Sequence, residues 1–148
     1  MPQTPGVSVA SFADLDARTF HNLLKLRIDV FVVEQACPYP ELDGRDVEPG
    51  TRHLWLAATD GAPLAYLRIL ADPDGAARIG RVVVAPPARR GGYAGRLMAA
   101  ALEVVGDRPC VLEAQSHLVG FYARHGFTVS GPEYVEDGIP HTPMRRAA

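Results

Sequence analysis

Hydrophobic residues along this chain follow two different spacings, one typical of strands and one typical of helices. Near the beginning, Val7, Val9 and Phe12 alternate with small or polar residues, which predicts a first strand. Over residues 15–31 the apolar side chains recur at about every third or fourth position, which predicts one helix with a buried face. The chain is therefore expected to open with a strand followed by a helix.

Three apolar runs follow in the middle of the chain. Residues 53–59 and 64–71 are joined by Asp60-Gly61, a dipeptide suited to the positive backbone dihedral angles of a tight hairpin turn. The third run, residues 78–84, follows another turn and ends in three consecutive valines, which favour strands. These runs predict an antiparallel meander of three strands.

The clearest amphipathic helix begins at Ala94. Its apolar residues fall three and four positions apart as far as Val105, and Gly106 ends the pattern. After this helix in the chain, the sequence predicts a strand at 110–114, a short helix at 118–124, a strand at 127–135 and a last short strand near Met144. A chain of 148 residues is the size of one compact domain, so we expect residues 1–148 to form a single domain.

A long acidic loop is predicted at residues 37–50. It contains three prolines and two glycines, which suit neither helix nor strand. A loop of this length in a small domain is uncommon unless it covers or contacts a substrate. The alternatives are a solvated surface, or acids paired with Arg45 and Arg52.

Composition and charge exclude several classes of function. The 15 basic and 17 acidic side chains give a net charge of -2, so nucleic acid and anionic membrane are not expected partners. No apolar run approaches the roughly 20 residues that span a bilayer. Cys37 and Cys110 do not form a secreted disulfide pattern, and the first residues lack the features of a signal peptide. We therefore expect a cytoplasmic protein.

Residues 82–98 predict a phosphate-binding site. A strand, a turn and a glycine-rich segment lead directly into the helix that begins at Ala94. Glycines let a ligand approach the backbone, and the first N–H groups of a helix point outward at the positive end of its dipole. Arg89 and Arg90 can add fixed positive charge. The segment is not a P-loop, because no Lys-Ser/Thr pair follows the glycines, and G-x-G-x-x-G is absent.

The spacing Arg89-x-x-Gly92-x-Ala94, with Val84-x-Pro86 ahead of it, resembles the R/Q-x-x-G-x-G/A acyl-CoA motif of the GCN5-related N-acetyltransferases (GNAT). A second segment, Phe-Tyr-Ala-Arg-His-Gly-Phe at 121–127, is similar to the F-Y-x-x-x-G-F segment of that family. One departure is Arg90, where the family more commonly has glycine, which leaves the backbone angle of the loop open at that position.

The resemblance extends over nearly the whole chain. Residues 30–35, 37–44 and 136–141 resemble the ElaA-type subgroup of the GNAT family. It implies an α/β (α+β) GNAT fold, in which a mixed, mostly antiparallel sheet opens into a V and is flanked by helices. It also implies acetyl-CoA as the acyl-donor cosubstrate. The residues expected to bind it are Val82, Val83, Val84, Arg89, Arg90, Gly91, Gly92, Tyr93, Ala94 and Gly95.

Acyl transfer to an amine requires a neutral nucleophile, a polarised carbonyl and a proton for the departing thiolate. By resemblance Tyr122 is the general acid, and its alternative role is a core aromatic. The backbone N–H of Val83 or Val84 is expected to polarise the carbonyl. Glu113 is a candidate base or substrate anchor, and its alternative role is a partner for nearby arginines.

An amine acceptor is expected to contact polar residues around the cleft. The candidates are Glu34, Cys37, Tyr39, Asp43, His53, Gln115, His117 and His141. Acids at the acceptor side favour a cationic amine. No metal site is expected, because the histidines and Cys37 include no short ligand pair such as C-x-x-C or H-x-x-x-H.

The predicted function is N-acetyl transfer from acetyl-CoA to a small-molecule or peptide amine by direct attack in a ternary complex. One alternative is an acyl-homoserine-lactone synthase, since Arg27-x-x-Val30-Phe31 followed by an acidic loop resembles the opening of that family. The other is a CoA-binding sensor without catalytic activity. The sequence does not define the oligomeric state, and a homodimer is one option.

Overall fold

The computed structural model describes residues 6–147. Its α-helices are Ala17–Arg27 (α1), Tyr93–Val105 (α2) and Val119–Ala123 (α3). Its strands are Ser8–Ala10 (β1), Arg52–Ala57 (β2), Pro63–Ala71 (β3), Ala77–Val84 (β4), Cys110–Gln115 (β5), Thr128–Val129 (β6), Tyr134–Glu136 (β7) and Ile139–Arg146 (β8). The predicted strands at Val7 and Val9 and at 53–59, 64–71, 78–84 and 110–114 correspond to β1–β5, but Phe12, expected in the first strand, begins the 3-10 helix Phe12–Asp14 instead.

All strands belong to one sheet in the order β1-β2-β3-β4-β5-β8-β6, and β7 pairs with β8 outside that path. Every pair is antiparallel except β4 with β5. The α/β fold with a mixed, mostly antiparallel sheet is therefore confirmed. The predicted meander is β2, β3 and β4.

Two apolar clusters occupy the two faces of the sheet. Leu67 packs in the larger cluster with α2, whereas its neighbour Tyr66 packs in a smaller cluster with α1. Consecutive strand residues point to opposite faces, so α1 and α2 lie on opposite sides of β3. Asp16 caps α1 by accepting a hydrogen bond from the Thr19 backbone N–H at 2.7 Å.

The first predicted helix, at 15–31, changes character near its end. After α1, residues Ile28–Glu34 continue as a π-helical segment. Backbone bonds from Gln35 to Val30 (3.0 Å) and from Cys37 to Val32 (3.1 Å) span five residues. Because π-helical turns are wider than α-helical ones, they often occur at functional sites. Here the segment forms one wall of a cleft.

The sheet splits between β4 and β5. These parallel strands pair only at Ala77–Cys110 and Arg78–Val111, and then diverge. On its other edge β4 has an extra residue, because Tyr66 pairs with Val83 but Arg68 pairs with Gly80. The bulge contains Arg81, whose φ of 55° is left-handed. The result is the V-shaped opening that the resemblance implies.

The C-terminal part differs from the sequence prediction. The expected strand at 127–135 is two short strands, β6 and β7, because Gly131 and Pro132 interrupt it. Proline lacks the N–H that a ladder requires, and glycine weakens a strand. The last strand, expected to be short, is the eight-residue β8, and it forms a hairpin with β7.

The acidic loop is anchored by two buried acids, Glu41 and Asp46, while most of its other residues are exposed. Glu41 and Asp46 accept hydrogen bonds from Arg27 at 2.7 Å each, and Arg27 has no exposed surface. Arg68 binds both Asp43 (2.6 Å) and Asp46 (3.1 Å). Of the two predicted partners, Arg45 pairs with the loop acid Glu48 and also with Asp72, whereas Arg52 donates to backbone carbonyls. The loop is therefore fixed to α1 and β3.

Candidate active site

The opening between β4 and β5 forms a cleft of about 1220 Å³. The π-helical segment and the acidic loop form one wall, and β5, α3 and the β7–β8 hairpin form the other. Most residues predicted to act in binding or catalysis line it: Glu34, Cys37, Tyr39, Asp43, Val82, Val83, Val84, Arg89, Ala94, Glu113, Gln115, His117, Tyr122 and His141. The structure thus brings together residues far apart in sequence.

One end of the cleft reaches the start of α2. Gly92 caps this helix with φ of 77°, and no side chain of the described residues caps its N–H groups. The first backbone bond that closes the helix runs from Arg96 to Gly92 at 3.2 Å. A Cβ on Gly95 would meet no atom within 4 Å, so the backbone there is open to a ligand. Outward N–H groups at the positive end of a helix dipole suit a pyrophosphate.

The turn before α2 restricts two successive residues, Arg90 by its backbone angle and Gly91 by the space beside it. Arg90 has φ of 71°, a conformation that glycine adopts without steric cost. This explains why glycine is the commoner residue at that position in the resembling family. At Gly91, a Cβ would lie 2.8 Å from the Tyr93 ring, so the ring packs where only glycine fits. Arg90, Gly91, Gly92, Tyr93 and Gly95 surround the end of the cleft without lining it.

Arg89 is held by Glu34 from across the cleft. Its two terminal nitrogens donate to the two Glu34 carboxylate oxygens at 2.8 Å each, and its Nε donates to the Val84 carbonyl at 3.3 Å. Hydrogen bonding from Arg89 lowers the pKa of Glu34. Both side chains are exposed, at 42% each. Glu34, predicted as an acceptor contact, therefore lies beside the predicted phosphate site.

Tyr122 lies on the cleft wall at the end of α3, where it is 5% exposed. Its ring packs edge-on against Phe121 and Phe127, at centroid distances of 5.0 and 6.3 Å. Burial raises the pKa of its hydroxyl to about 12. Within residues 6–147 the hydroxyl forms no hydrogen bond. Tyr122 is thus a core aromatic with a protonated, unengaged hydroxyl at the cleft.

Glu113, on the wall formed by β5, α3 and the β7–β8 hairpin, has two hydrogen-bond donors. Its carboxylate accepts from Arg78 Nη1 at 3.3 Å and from the Tyr134 hydroxyl at 3.0 Å. The Tyr134 ring stacks on His141 with centroids 5.6 Å apart, and His141 Nδ1 donates to the Ile139 carbonyl at 2.8 Å. The arginine partner that the sequence left as an alternative is therefore present.

The polar groups of the acidic loop are already engaged where they line the cleft. The Cys37 thiol donates to the carbonyls of Gln35 and Asp137 at 3.3 Å each. The Tyr39 hydroxyl donates to Glu41 at 2.6 Å, and burial, followed by this bond, raises the pKa of Tyr39. Hydrogen bonding from Arg68 holds the pKa of Asp43 below its usual range.

The prediction of His53 as an acceptor contact is wrong in this structure. The side chain is fully buried in β2 and does not line the cleft. Its Nε2 lies 3.0 Å from the Asp46 carbonyl, which can only accept, so Nε2 carries the proton. Its Nδ1 then accepts from the Tyr66 hydroxyl at 2.6 Å. His53 links the interior of the sheet to the acidic loop.

His53 gives a testable pH dependence of stability. Burial lowers the pKa of His53. Below about pH 6.5 the imidazole is therefore protonated in the unfolded chain but stays neutral in the folded chain. The unfolding free energy should fall by about 1 kcal/mol between pH 7.5 and pH 5.5 through this group. Urea unfolding at both pH values measures it.

Two variants distinguish the contribution of His53 to this pH dependence from the contributions of other histidines. His53→Gln should lose this part of the pH dependence, whereas the exposed control His21→Gln should keep it. Equal pH dependence in His53→Gln and the unmodified protein would contradict the assignment.

Several cleft residues were not predicted. Arg68, Arg78, Arg81 and Arg124 all line it. Their position in predicted strands and in a helix offered the only signal, since charged side chains inside otherwise apolar strands need a reason. Arg124, which follows Tyr122 by two positions, forms no ion pair with another residue of the described range.

Residues 6–147 contain neither a metal-binding cluster nor a membrane-spanning helix. No group of three or more His, Cys, Asp or Glu side chains there could hold a metal ion. No helix in the same range is long and apolar enough to cross a membrane.

Comparison with known proteins identifies the family to which this fold belongs. The family model described as "Acetyltransferase (GNAT) domain" matches residues 25–148. A "UPF0039 protein" of Mycobacterium bovis is 53% identical over 136 residues, covering 90% of this chain and 87% of the relative. Protein ElaA of Escherichia coli is 40% identical over 140 residues, covering 90% and 91%. The chain belongs to the GNAT acetyltransferase family.

Solved structures place the chain within that family. The crystal structure of an acyl-CoA N-acyltransferase from Pseudomonas aeruginosa matches with a TM-score of 0.91 and 44% identity, covering 97% of this chain and 100% of that one. The crystal structure of Escherichia coli ElaA matches with a TM-score of 0.90 and 37% identity, covering 96% and 99%. The similarity to ElaA-type proteins is thereby confirmed.

Proposed function

We propose that this protein transfers an acetyl group from acetyl-CoA to an amine by direct attack in a ternary complex. The observation that carries the proposal is the parting of β4 from β5 after Arg78, which opens one continuous cleft. That cleft leads from the uncapped start of α2 to the Tyr122 hydroxyl. A ligand with a phosphate at one end and a reactive thioester at the other suits this arrangement.

The residues present fit acetyl-CoA along its length. The N–H groups at the start of α2, together with Arg89, are suited to the pyrophosphate. Beyond Arg78 the edge of β4 that faces β5 has no strand partner among residues 6–147. Val82–Val84 can therefore pair with the amide groups of the pantetheine arm as an added strand would. Arg124 is a further cation on the same cleft for a phosphate.

The acyl transfer itself needs three contributions from the chain. A backbone N–H near Val83 or Val84 would polarise the thioester carbonyl. The amine would attack in its neutral form and pass a proton to solvent, and collapse of the tetrahedral intermediate would break the C–S bond and release the thiolate. Tyr122 would donate the proton to that thiolate, because its raised pKa keeps the hydroxyl protonated at neutral pH. Solvent would then restore the tyrosine proton.

The acceptor amine would enter from the wall formed by β5 and the β7–β8 hairpin. Gln115, His117 and His141 lie there with Glu113. Because Glu113 is held by Arg78 and Tyr134, we propose that it orients the acceptor and does not remove the proton itself. Cys37, Tyr39 and Asp43 would border the acceptor from the opposite wall.

Calorimetric titration with acetyl-CoA tests the proposal. Binding should be saturable, and Arg89→Ala should weaken it about tenfold, the effect of one hydrogen bond to a charged group. A thiol-release assay with a panel of amines follows. An otherwise folded protein that binds no acetyl-CoA would overturn the proposal. Binding without thiol release from any amine would favour the sensor alternative.

A further inference from the structure

The strongest unexplained contact near the phosphate site is the pair formed by Glu34 and Arg89. It joins the last residue of the π-helical segment to the turn that follows β4. The two bonds of 2.8 Å are parallel and bidentate, the geometry that matches guanidinium to carboxylate. Both residues line the cleft. The pair therefore links the two sides of the cleft near the start of α2.

The pair occupies the donors that a phosphate would use. Arg89 directs its two terminal nitrogens at Glu34 and its Nε at the Val84 carbonyl. Phosphate and carboxylate groups compete for the same N–H edge of the guanidinium, because both accept its hydrogen bonds in a bidentate manner. Val84 is also the last residue of the edge that the pantetheine arm would pair with.

We propose that Glu34 acts on the cosubstrate side and not on the acceptor, as a carboxylate that competes with the CoA phosphates for Arg89. In the free protein Glu34 holds Arg89. On binding, the guanidinium exchanges the carboxylate for phosphate and leaves the Val84 carbonyl. Glu34 therefore lowers the affinity for the cosubstrate. This inference rests on the proposed function and assigns a regulatory role within that site.

The size of the effect follows from the exposure of the pair. Surface ion pairs contribute at most about 1 kcal/mol, equivalent to a factor of about five in an equilibrium constant. Glu34→Gln, which keeps the shape but removes the charge, should therefore tighten acetyl-CoA binding about two- to fivefold. Calorimetric titration of the purified protein with acetyl-CoA measures this.

A double-mutant cycle separates competition from a general effect of charge. In the Arg89→Ala background the Glu34→Gln change should have no effect on affinity, because the contested guanidinium is gone. Asp29→Asn removes the same charge from the same π-helical segment without touching Arg89, since Asp29 pairs with Lys25 on the surface. Asp29→Asn should leave the affinity unchanged.

The outcomes are distinct. Unchanged or weaker binding by Glu34→Gln would overturn this inference while leaving the proposed function intact, and weaker binding would mean that Glu34 orients Arg89 for the phosphate. Equal tightening by Asp29→Asn, or tightening that persists without Arg89, would also overturn it. Absence of acetyl-CoA binding in the unmodified protein would overturn both proposals.

Discussion

Replacing Tyr122 with phenylalanine should lower kcat by about 100-fold and change the affinity for acetyl-CoA less than about twofold. Phenylalanine keeps the edge-on packing against Phe121 and Phe127, so the core of α3 is preserved. What the variant loses is the hydroxyl, which burial keeps protonated with a pKa of about 12. Steady-state thiol release measures kcat, and calorimetry measures affinity.

Tyr134→Phe is the matched control, because Tyr134 is another tyrosine beside the cleft. Its hydroxyl binds Glu113, and hence its loss should act mainly on the KM for the amine. The same fall in kcat in both variants would point to a general disturbance of the cleft. An unchanged kcat in Tyr122→Phe would leave Tyr122 as a core aromatic only.

Replacing Arg27 with methionine should lower the unfolding free energy by about 3–5 kcal/mol. Arg27 is fully buried, and its loss deprives Glu41 and Asp46 of the cation nearest to each, at 2.7 Å, in an interior where poorly compensated charge is costly. Urea unfolding monitored by circular dichroism measures the change.

Lys25→Met on the same helix provides the control for removing a cation. Lys25 forms only an exposed pair with Asp29, so its loss should be below about 1 kcal/mol. Neutralising Glu41 and Asp46 together, as glutamine and asparagine, should restore part of the stability of Arg27→Met. Equal losses in the Lys25 and Arg27 variants would contradict the structural role given to the buried network.

The elements that the sequence predicts well are those with strong local patterns. The apolar spacing from Leu97 to Val105 defines α2, and Asp60-Gly61 marks the hairpin between β2 and β3. The glycine-rich turn before α2 predicts the uncapped helix start by the same local logic. Each of these depends on residues that are neighbours in the chain.

The features that were missed depend on contacts between distant residues. The apolar face of α1 predicts a helix, but it does not reveal that Arg27 is buried, because its partners lie 14 and 19 residues further on. His53 was predicted as an acceptor contact from its residue type alone, and only its hydrogen bonds to Asp46 and Tyr66 show its structural role. The Glu34–Arg89 pair spans 55 residues. No single-sequence pattern encodes such pairings.

The short ladder between β4 and β5 would couple binding of the proposed cosubstrate to folding. Only two residue pairs join these strands, so the backbone ladder across the middle of the sheet is interrupted. A cosubstrate that pairs with the free edge of β4 would complete that ladder and bridge the two parts of the sheet. Because such a ligand would bind only the native arrangement, its binding would add to the unfolding free energy of the domain. If the proposed cosubstrate occupies this groove, we expect it to raise the resistance of the domain to heat.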